Sequence, residues 1–175
     1  MSRYIISDTH FGHNKIILYG ERPFPYVEGG KPEEMDAHMI KQWNSVVKSK
    51  DDTVYHLGDV VLYYNKDDAK KLIQKLRGRK ILIMGNHDDK SRNWYLDIGF
   101  DQVIKYPIIL DGFYMLSHQP LYVNTHMPYV NIHGHIHQNS YAGKQYVNAS
   151  VECNDYKPFD FDKLKLQFAE KEDER

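Results

Sequence analysis

Five short segments of the chain end in side chains that ligate metal ions: Asp8-Thr9-His10, Gly58-Asp59, Gly85-Asn86-His87-Asp88, His118, and Gly134-His135-Ile136-His137. Carboxylates, imidazoles and an amide oxygen make a mixed nitrogen and oxygen donor set, suited to divalent Mn, Fe, Ni, Co or Zn. Each segment follows an apolar run. Tyr4-Ile5-Ile6, Thr53-Val54-Tyr55, Ile81-Leu82-Ile83-Met84, Phe113-Tyr114-Met115-Leu116 and the shorter Tyr129-Val130-Asn131-Ile132 read as strands. Strands lying side by side would gather these groups at one carboxyl edge of a sheet, where open α/β sheets place their ligands.

The elements between the segments support that reading. After the first strand, Gly20 to Lys31 is rich in glycine and proline and reads as an irregular excursion. Pro32 opens a helix with Glu33 and Glu34 in its first turn and Met35, Met39, Trp43, Val46 and Val47 on one face. Asn65 caps a second helix, whose buried stripe is Ala69, Leu72, Ile73 and Leu76 and which Gly78 ends. A short helix is expected between Lys90 and Leu96. Residues 102–106, 107–110, 113–117, 129–133 and 145–149 read as strands, with Asp111-Gly112 as a hairpin turn. Glu170 to Arg175 is nearly all charge and is expected to fray.

The 175 residues suit one domain, 1–175, large enough to bury a core without disulfides. A net charge of −1 and the absence of a basic stripe disfavour a non-specific nucleic-acid coat. The single cysteine, Cys153, points to a reducing compartment. No segment approaches the ~20 apolar residues that span a bilayer. The expectation is a cytoplasmic protein with no membrane partner; oligomeric state is not legible. The 14 tyrosines, among them Tyr4, Tyr55, Tyr106 and Tyr114, read mainly as core filler.

The five segments, intact and in order, resemble the calcineurin-like metallophosphoesterases, whose pattern is D-x-H, G-D, G-N-H-[D/E], a lone H, and G-H-x-H. Taken alone, His118 would read as structural, Asp59 as a turn residue and Asn86 as a cap; the ordered set makes them ligands. The resemblance implies a four-layer α/β/β/α sandwich of mixed sheets, with the site at the strand carboxyl ends. It implies two metal ions: Asp8, His10, Asp59 and His137 hold one, and Asp59, Asn86, His118 and His135 the other, with Asp59 as the bridge. His87 matches the histidine that is not a ligand and protonates the leaving oxygen or steadies its charge. Asp88 orients His87 or a ligand. Gly58, Gly85 and Gly134 let the backbone turn sharply. The activity implied is hydrolysis of phosphomonoesters or phosphodiesters, with a small phosphoester or nucleotide as substrate. Two rivals remain: a nuclease acting on short or single-stranded nucleic acid, and a protein-binding scaffold that has lost catalysis.

Other residues divide less sharply. Arg22 in the excursion is either a bidentate phosphate ligand or half of a surface salt bridge. His13 and Asn14 either touch substrate or cap a short helix. Tyr63 and Tyr64 stack on a substrate ring or, more simply, pack. His56 reads as a core residue, His38 as solvent-facing, and His133 as structural or supporting a ligand; His126 has no motif around it.

Overall fold

The computed structural model describes residues 1–173. In chain order the elements are β1 (Arg3–Ile6), α1 (Ile16–Tyr19), α2 (Glu33–Val46), β2 (Thr53–His56), α3 (Lys66–Ile73), β3 (Arg79–Ile83), α4 (Arg92–Ile98), β4 (Gln102–Ile104), β5 (Ile108–Leu110), β6 (Tyr114–Leu116), β7 (Val130–His133), β8 (Tyr146–Asn148), a 3-10 turn (Val151–Cys153), β9 (Phe159–Asp160) and α5 (Phe161–Asp173). One sheet has the order β4-β3-β2-β1-β9, the other β5-β6-β7-β8. β1 to β4 run parallel, whereas β9 is antiparallel to β1. In the second sheet β6, β7 and β8 are parallel and β5 is antiparallel. Both sheets are therefore mixed, as expected.

Alternation along the strands sorts the core into two layers. Ile6, Val54 and Leu82 face one way, onto Met35, Met39 and Trp43 of α2, Ala69, Leu72 and Ile73 of α3, and Tyr95 and Ile98 of α4. Ile5 and Ile83 face the other way, onto Tyr114, Leu116, Val130 and Ile132 of the second sheet. Phe161, Leu164 and Phe168 of α5 join this inter-sheet layer. On the far side of the second sheet Asn131 is buried, donates to the Met115 carbonyl and to Ser117 Oγ, and accepts from Leu121 N. Polar contacts with the loop around Leu121 thus cover that face at Asn131, whereas Ile109 in the same row is 57% exposed.

Parallel register decides where the site forms. Ile6 pairs with His56 and His56 with Leu82, so the chain leaves β1, β2 and β3 at one level. Ser7 N then donates to the Ala149 carbonyl at 2.8 Å, and Val151 N to the Ser7 carbonyl at 3.1 Å. These bonds splice the end of β1 to the chain just after β8 and bring the loops of both sheets together.

Local signals explain most boundaries. Asn65 caps α3 by accepting from Asp68 N, and Ser91 caps α4 by accepting from Trp94 N. The Ser91 cap sets α4 two residues later than expected. Asp111 (φ 50°) and Gly112 (φ 82°) are both left-handed, as a tight hairpin between β5 and β6 demands. β4 stops at Ile104, and Tyr106 is 70% exposed rather than core. The helical turn α1 precedes the excursion, at the short helix that His13 and Asn14 could cap, though no side chain caps it. Residues 170–173, expected to fray, continue α5, while 174 and 175 lie outside the described residues. Among the described residues no helix is long and apolar enough to cross a membrane.

Candidate metal centre

The loops that carry the proposed ligands hold their backbone under strain. Asp8 (φ 58°), His10 (φ 50°), Asp59 (φ 56°), His135 (φ 71°) and His137 (φ 50°) all occupy the left-handed region. A non-glycine residue there costs about 1–2 kcal/mol relative to ordinary backbone, and such residues cluster at functional sites. The glycines act differently from the turn role expected of all three. Only Gly58 (φ 101°) has a positive φ. At Gly134 a Cβ would lie 2.0 Å from Ser7 Oγ and 2.2 Å from Asp8 Oδ2, and at Gly85 2.3 Å from Asp59 Oδ1. Gly85 and Gly134 are required because carboxylates press against the backbone.

The donor atoms converge. Asp59 Oδ2 lies 3.5 Å from His10 Nε2 and 3.5 Å from His118 Nε2. His118 Nε2 also faces Asn86 Oδ1 at 2.8 Å and His135 Nδ1 at 3.2 Å. Donor atoms of Asp8, His10 and His137 lie within 4.8 Å of one another, as do those of Asp8, Asp59 and His118. Asp8 thus belongs to both groups, and Asp59 stands between the imidazoles of His10 and His118.

Hydrogen bonding shows what such a cluster lacks. His118 Nδ1–H donates to the Leu57 carbonyl at 2.8 Å, which leaves Nε2 as a bare lone pair aimed at Asn86 Oδ1 and Asp59 Oδ2. Lone pairs facing one another are reconciled by a cation. Asp8 Oδ1 and His10 Nε2 are buried without a hydrogen-bond partner. Asp8 Oδ2 is by contrast held, accepting from His135 N at 2.9 Å and Ser150 Oγ at 3.0 Å. The donor set therefore fits a divalent metal.

Charge points the same way. Burial, and then the neighbouring Asp8, push the Asp59 carboxyl up to about 6. Burial, reinforced by Arg22, holds the His10 imidazole well below its ordinary value, and burial and His118 lower that of His135. Buried carboxylates beside neutral imidazoles are the arrangement a bound cation stabilises.

The role proposed for Arg22 needs correction. Arg22 is buried and does not reach a substrate phosphate: it donates to Glu152 Oε1 from Nε at 2.9 Å and Nη2 at 2.7 Å, and to the Thr9 and Asp8 carbonyls at 2.9 and 2.7 Å. It braces the first ligand loop from behind. Of the two roles expected of Asp88, its contacts match the second, holding a proposed ligand rather than His87. Its Oδ2 accepts from Asp59 N and Gly85 N, both at 2.8 Å, and Oδ1 from Val60 N at 3.1 Å, so it ties the second ligand loop to the third.

Glu152 is the functional residue the sequence reading missed. It sits on the 3-10 turn after β8 and its Oε1 accepts from His137 Nδ1 at 2.9 Å. That bond places the proton on Nδ1 and leaves Nε2 free to ligate. Burial alone would raise the Glu152 carboxyl; His137 and Arg22 outweigh it and hold the group below its ordinary value.

The remaining candidates fall into place. His87 is exposed at the mouth, its ring centroid 5.6 Å from that of His10, and its backbone N–H donates to Asp59 Oδ1 at 2.9 Å. His13 is buried against His10, with their Nδ1 atoms 3.3 Å apart; burial and His87 lower its pKa to about 4. His56 is a core residue, as expected, bonded to Thr9 Oγ1 at 3.0 Å. His133 is buried and donates from Nδ1 to the Gly134 carbonyl. His38 is half-buried against Phe24 and Tyr156 rather than free in solvent. Tyr64 is packed, its hydroxyl donating to Asp36 Oδ2 at 2.7 Å, whereas Tyr63 is 80% exposed. His126 is exposed, its backbone N–H donating to Asn124 Oδ1 at 2.9 Å.

The two mixed sheets and this ligand cluster define a metallophosphoesterase fold, and the chain belongs to the calcineurin-like phosphoesterase family, whose pattern it matches over residues 1–173. Among individual proteins it is 39% identical over 170 residues to an uncharacterized protein of Methanocaldococcus jannaschii, covering 91% of this chain and 86% of that one. It is similar in structure to a protein of unknown function from Aquifex aeolicus, with a TM-score of 0.72, 29% identity, and coverage of 95% of this chain and 98% of the other. The nuclease MPE of Pseudomonas putida shares the fold, with a TM-score of 0.51 and 16% identity over 77% of this chain and 61% of that one.

Proposed function

We propose that the chain is a dinuclear metal-dependent phosphoesterase that hydrolyses small phosphoesters without a covalent enzyme intermediate. The observation that carries this reading is the convergence of His10 Nε2 and His118 Nε2 on one carboxylate oxygen, Asp59 Oδ2, each at 3.5 Å. One ion would be held by Asp8, His10, Asp59 and His137, the other by Asp59, Asn86, His118 and His135. Such ions, when bound, lower the pKa of a water and neutralise the charge that builds on a phosphoryl group.

The protein's own groups do the rest. The Leu57 carbonyl and Glu152 fix the tautomers of His118 and His137. The bond from His87 N to Asp59 Oδ1 sets the third ligand loop so that the His87 ring stands at the open mouth. In hydrolysis the oxygen of water forms the new P–O bond, its proton passes to solvent, and the old P–O bond to the leaving group breaks. His87 gives its proton to the departing oxygen and regains one from solvent.

The test is His87→Asn, with metal content and kcat measured on an aryl and an alkyl phosphate. Loss of a general acid costs about 10²–10⁴-fold, and an aryl oxide needs the proton less, so the alkyl substrate should suffer more. An equal loss on both would remove the proton-donor role; a lost metal would make His87 a ligand. Paired phosphomonoester, phosphodiester and single-stranded oligonucleotide substrates then decide between the small-molecule and nuclease readings. The exposed Cys153 suits a cytoplasmic setting.

A further inference from the structure

Beside the ligand cluster lies a cavity of about 380 Å³ lined by Asn14, Lys15, Tyr26, Lys31, Tyr63 and Tyr64, with glycine backbone between them. We infer that this cavity is a specificity subsite for the leaving-group side of the substrate, selecting phosphoesters whose alcohol carries a flat ring and a second anionic group. The inference rests on the phosphoesterase reading and names the substrate class for that site.

Tyr63 is the first reason. Its backbone is left-handed (φ 62°) and its side chain is 80% exposed. A bulky residue in that region is strained, and so little burial does not offset the strain. What the conformation achieves is placement: the Tyr63 ring meets the His13 ring edge-on at 5.3 Å, and the His13 ring lies 5.3 Å from that of His10. Tyr63 therefore stands at the rim, one side chain away from a proposed metal ligand. An aromatic face held there can stack on a planar group.

The cavity is also cationic. Two lysines and no acidic side chain line it. Among the described residues Lys15 makes no salt bridge, and Lys31 has only Asp68, at 4.0 Å. Lys31 Nζ lies 5.4 Å above the Tyr64 ring, whose hydroxyl is fixed by Asp36. Asn14 donates to the Val27 carbonyl at 2.7 Å, and its Oδ1 is buried without a partner, an acceptor available to a ring amino group.

The floor is closely built. A Cβ on Gly12 would lie 2.4 Å from the Leu62 carbonyl oxygen and 2.7 Å from the Tyr64 ring. The first and second ligand loops are thus pressed together under the cavity, and its walls move with the loops that carry Asp8, His10 and Asp59.

The experiment uses chelator-treated protein, so that no probe is hydrolysed, and isothermal titration with adenosine 3′,5′-bisphosphate, adenosine, ribose 5-phosphate and inorganic phosphate. The bisphosphate should bind at least about tenfold tighter than ribose 5-phosphate, the usual scale of one stacking contact. Tyr63→Gly, which suits the left-handed backbone and folds without strain, should reduce that ratio to threefold or less. The Lys15→Ala, Lys31→Ala pair should erase the preference for the bisphosphate over adenosine. No binding of the bisphosphate, no preference among probes, or a preference that survives both variants overturns the assignment. In parallel, metal-loaded wild type is assayed with 4-nitrophenyl phosphate. No turnover with the binding preference intact would sink the catalytic reading alone, and turnover without the preference would sink the subsite alone.

Discussion

Replacing Glu152 with glutamine separates the orientation of a metal ligand from the burial of a charge. Glu152 Oε1 accepts from His137 Nδ1 and twice from Arg22, and the Arg22 and Glu152 side chains are only 0% and 5% exposed. Removing one partner of a buried ion pair costs about 3–5 kcal/mol, because the other charge is left uncompensated. Arg22 keeps the Thr9 and Asp8 carbonyls as acceptors, so the lower end applies. For a chain of this size about 3 kcal/mol is a fall of roughly 6–12 °C in Tm. Separately, losing the carboxylate that orients a ligating histidine weakens metal binding about 10–100-fold. The double variant Arg22→Met, Glu152→Gln removes the uncompensated cation, so stability should recover while metal affinity stays low. Denaturant unfolding in chelator reads the first quantity; titration with Zn²⁺ against a chromophoric chelator reads the second. Wild-type metal affinity in E152Q would refute the orienting role. Recovery of metal affinity together with stability in the double variant would show that the loss came from unfolding alone.

Three further outcomes follow from the geometry. Asp59→Asn should strip both ions, since an amide is a poor bridge between cations; metal analysis finding two retained ions per chain would end the bridging assignment. Gly134→Ala should lower both Tm and metal content, because its Cβ would collide with Ser7 and with the Asp8 carboxylate; a normal Tm would show that the seam between the sheets yields. Asp36 gives a pH test. Burial, partly offset by bonds from Tyr64 and Gly12, pushes its carboxyl up to about 6, so the folded state holds a proton that the unfolded chain releases near pH 4. Its favourable contribution is complete below about pH 4 and is lost as pH rises to about 6, a total of roughly 3 kcal/mol at ~1.4 kcal/mol per pH unit. Asp36→Asn should remove that slope, so unfolding curves at pH 4 to 7 that differ from wild type by a constant would contradict it.

The proposed ligands could be picked out because two local signals coincide at each: a donor residue and an apolar run of strand period. His56 could be placed in the core for the same reason, since it ends such a run. Arg22 reads as a phosphate ligand because a charge beside a motif reads as chemistry, and only the fold shows that it is consumed by Glu152 and by backbone carbonyls of the first ligand loop. Glu152 was invisible because its partner is His137, across β8, and no spacing rule joins a 3-10 turn to a G-H-x-H segment. α5 was overlooked although Phe161, Leu164 and Phe168 recur at helical spacing; the surrounding charges disguised the stripe.

The left-handed backbone at His10, His135 and His137 bears on how this protein would respond to laboratory evolution. Glycine in place of any of them relieves about 1–2 kcal/mol of backbone strain, less the ~0.5–1 kcal/mol that its extra chain entropy costs, and supplies no donor atom. A library sorted only for heat resistance therefore drifts toward sturdier proteins with a blank centre. One sorted for turnover keeps its histidines and with them a ceiling on its metal-free melting temperature. Sorting one library twice, with and without chelator, should yield two populations that differ at these three codons first.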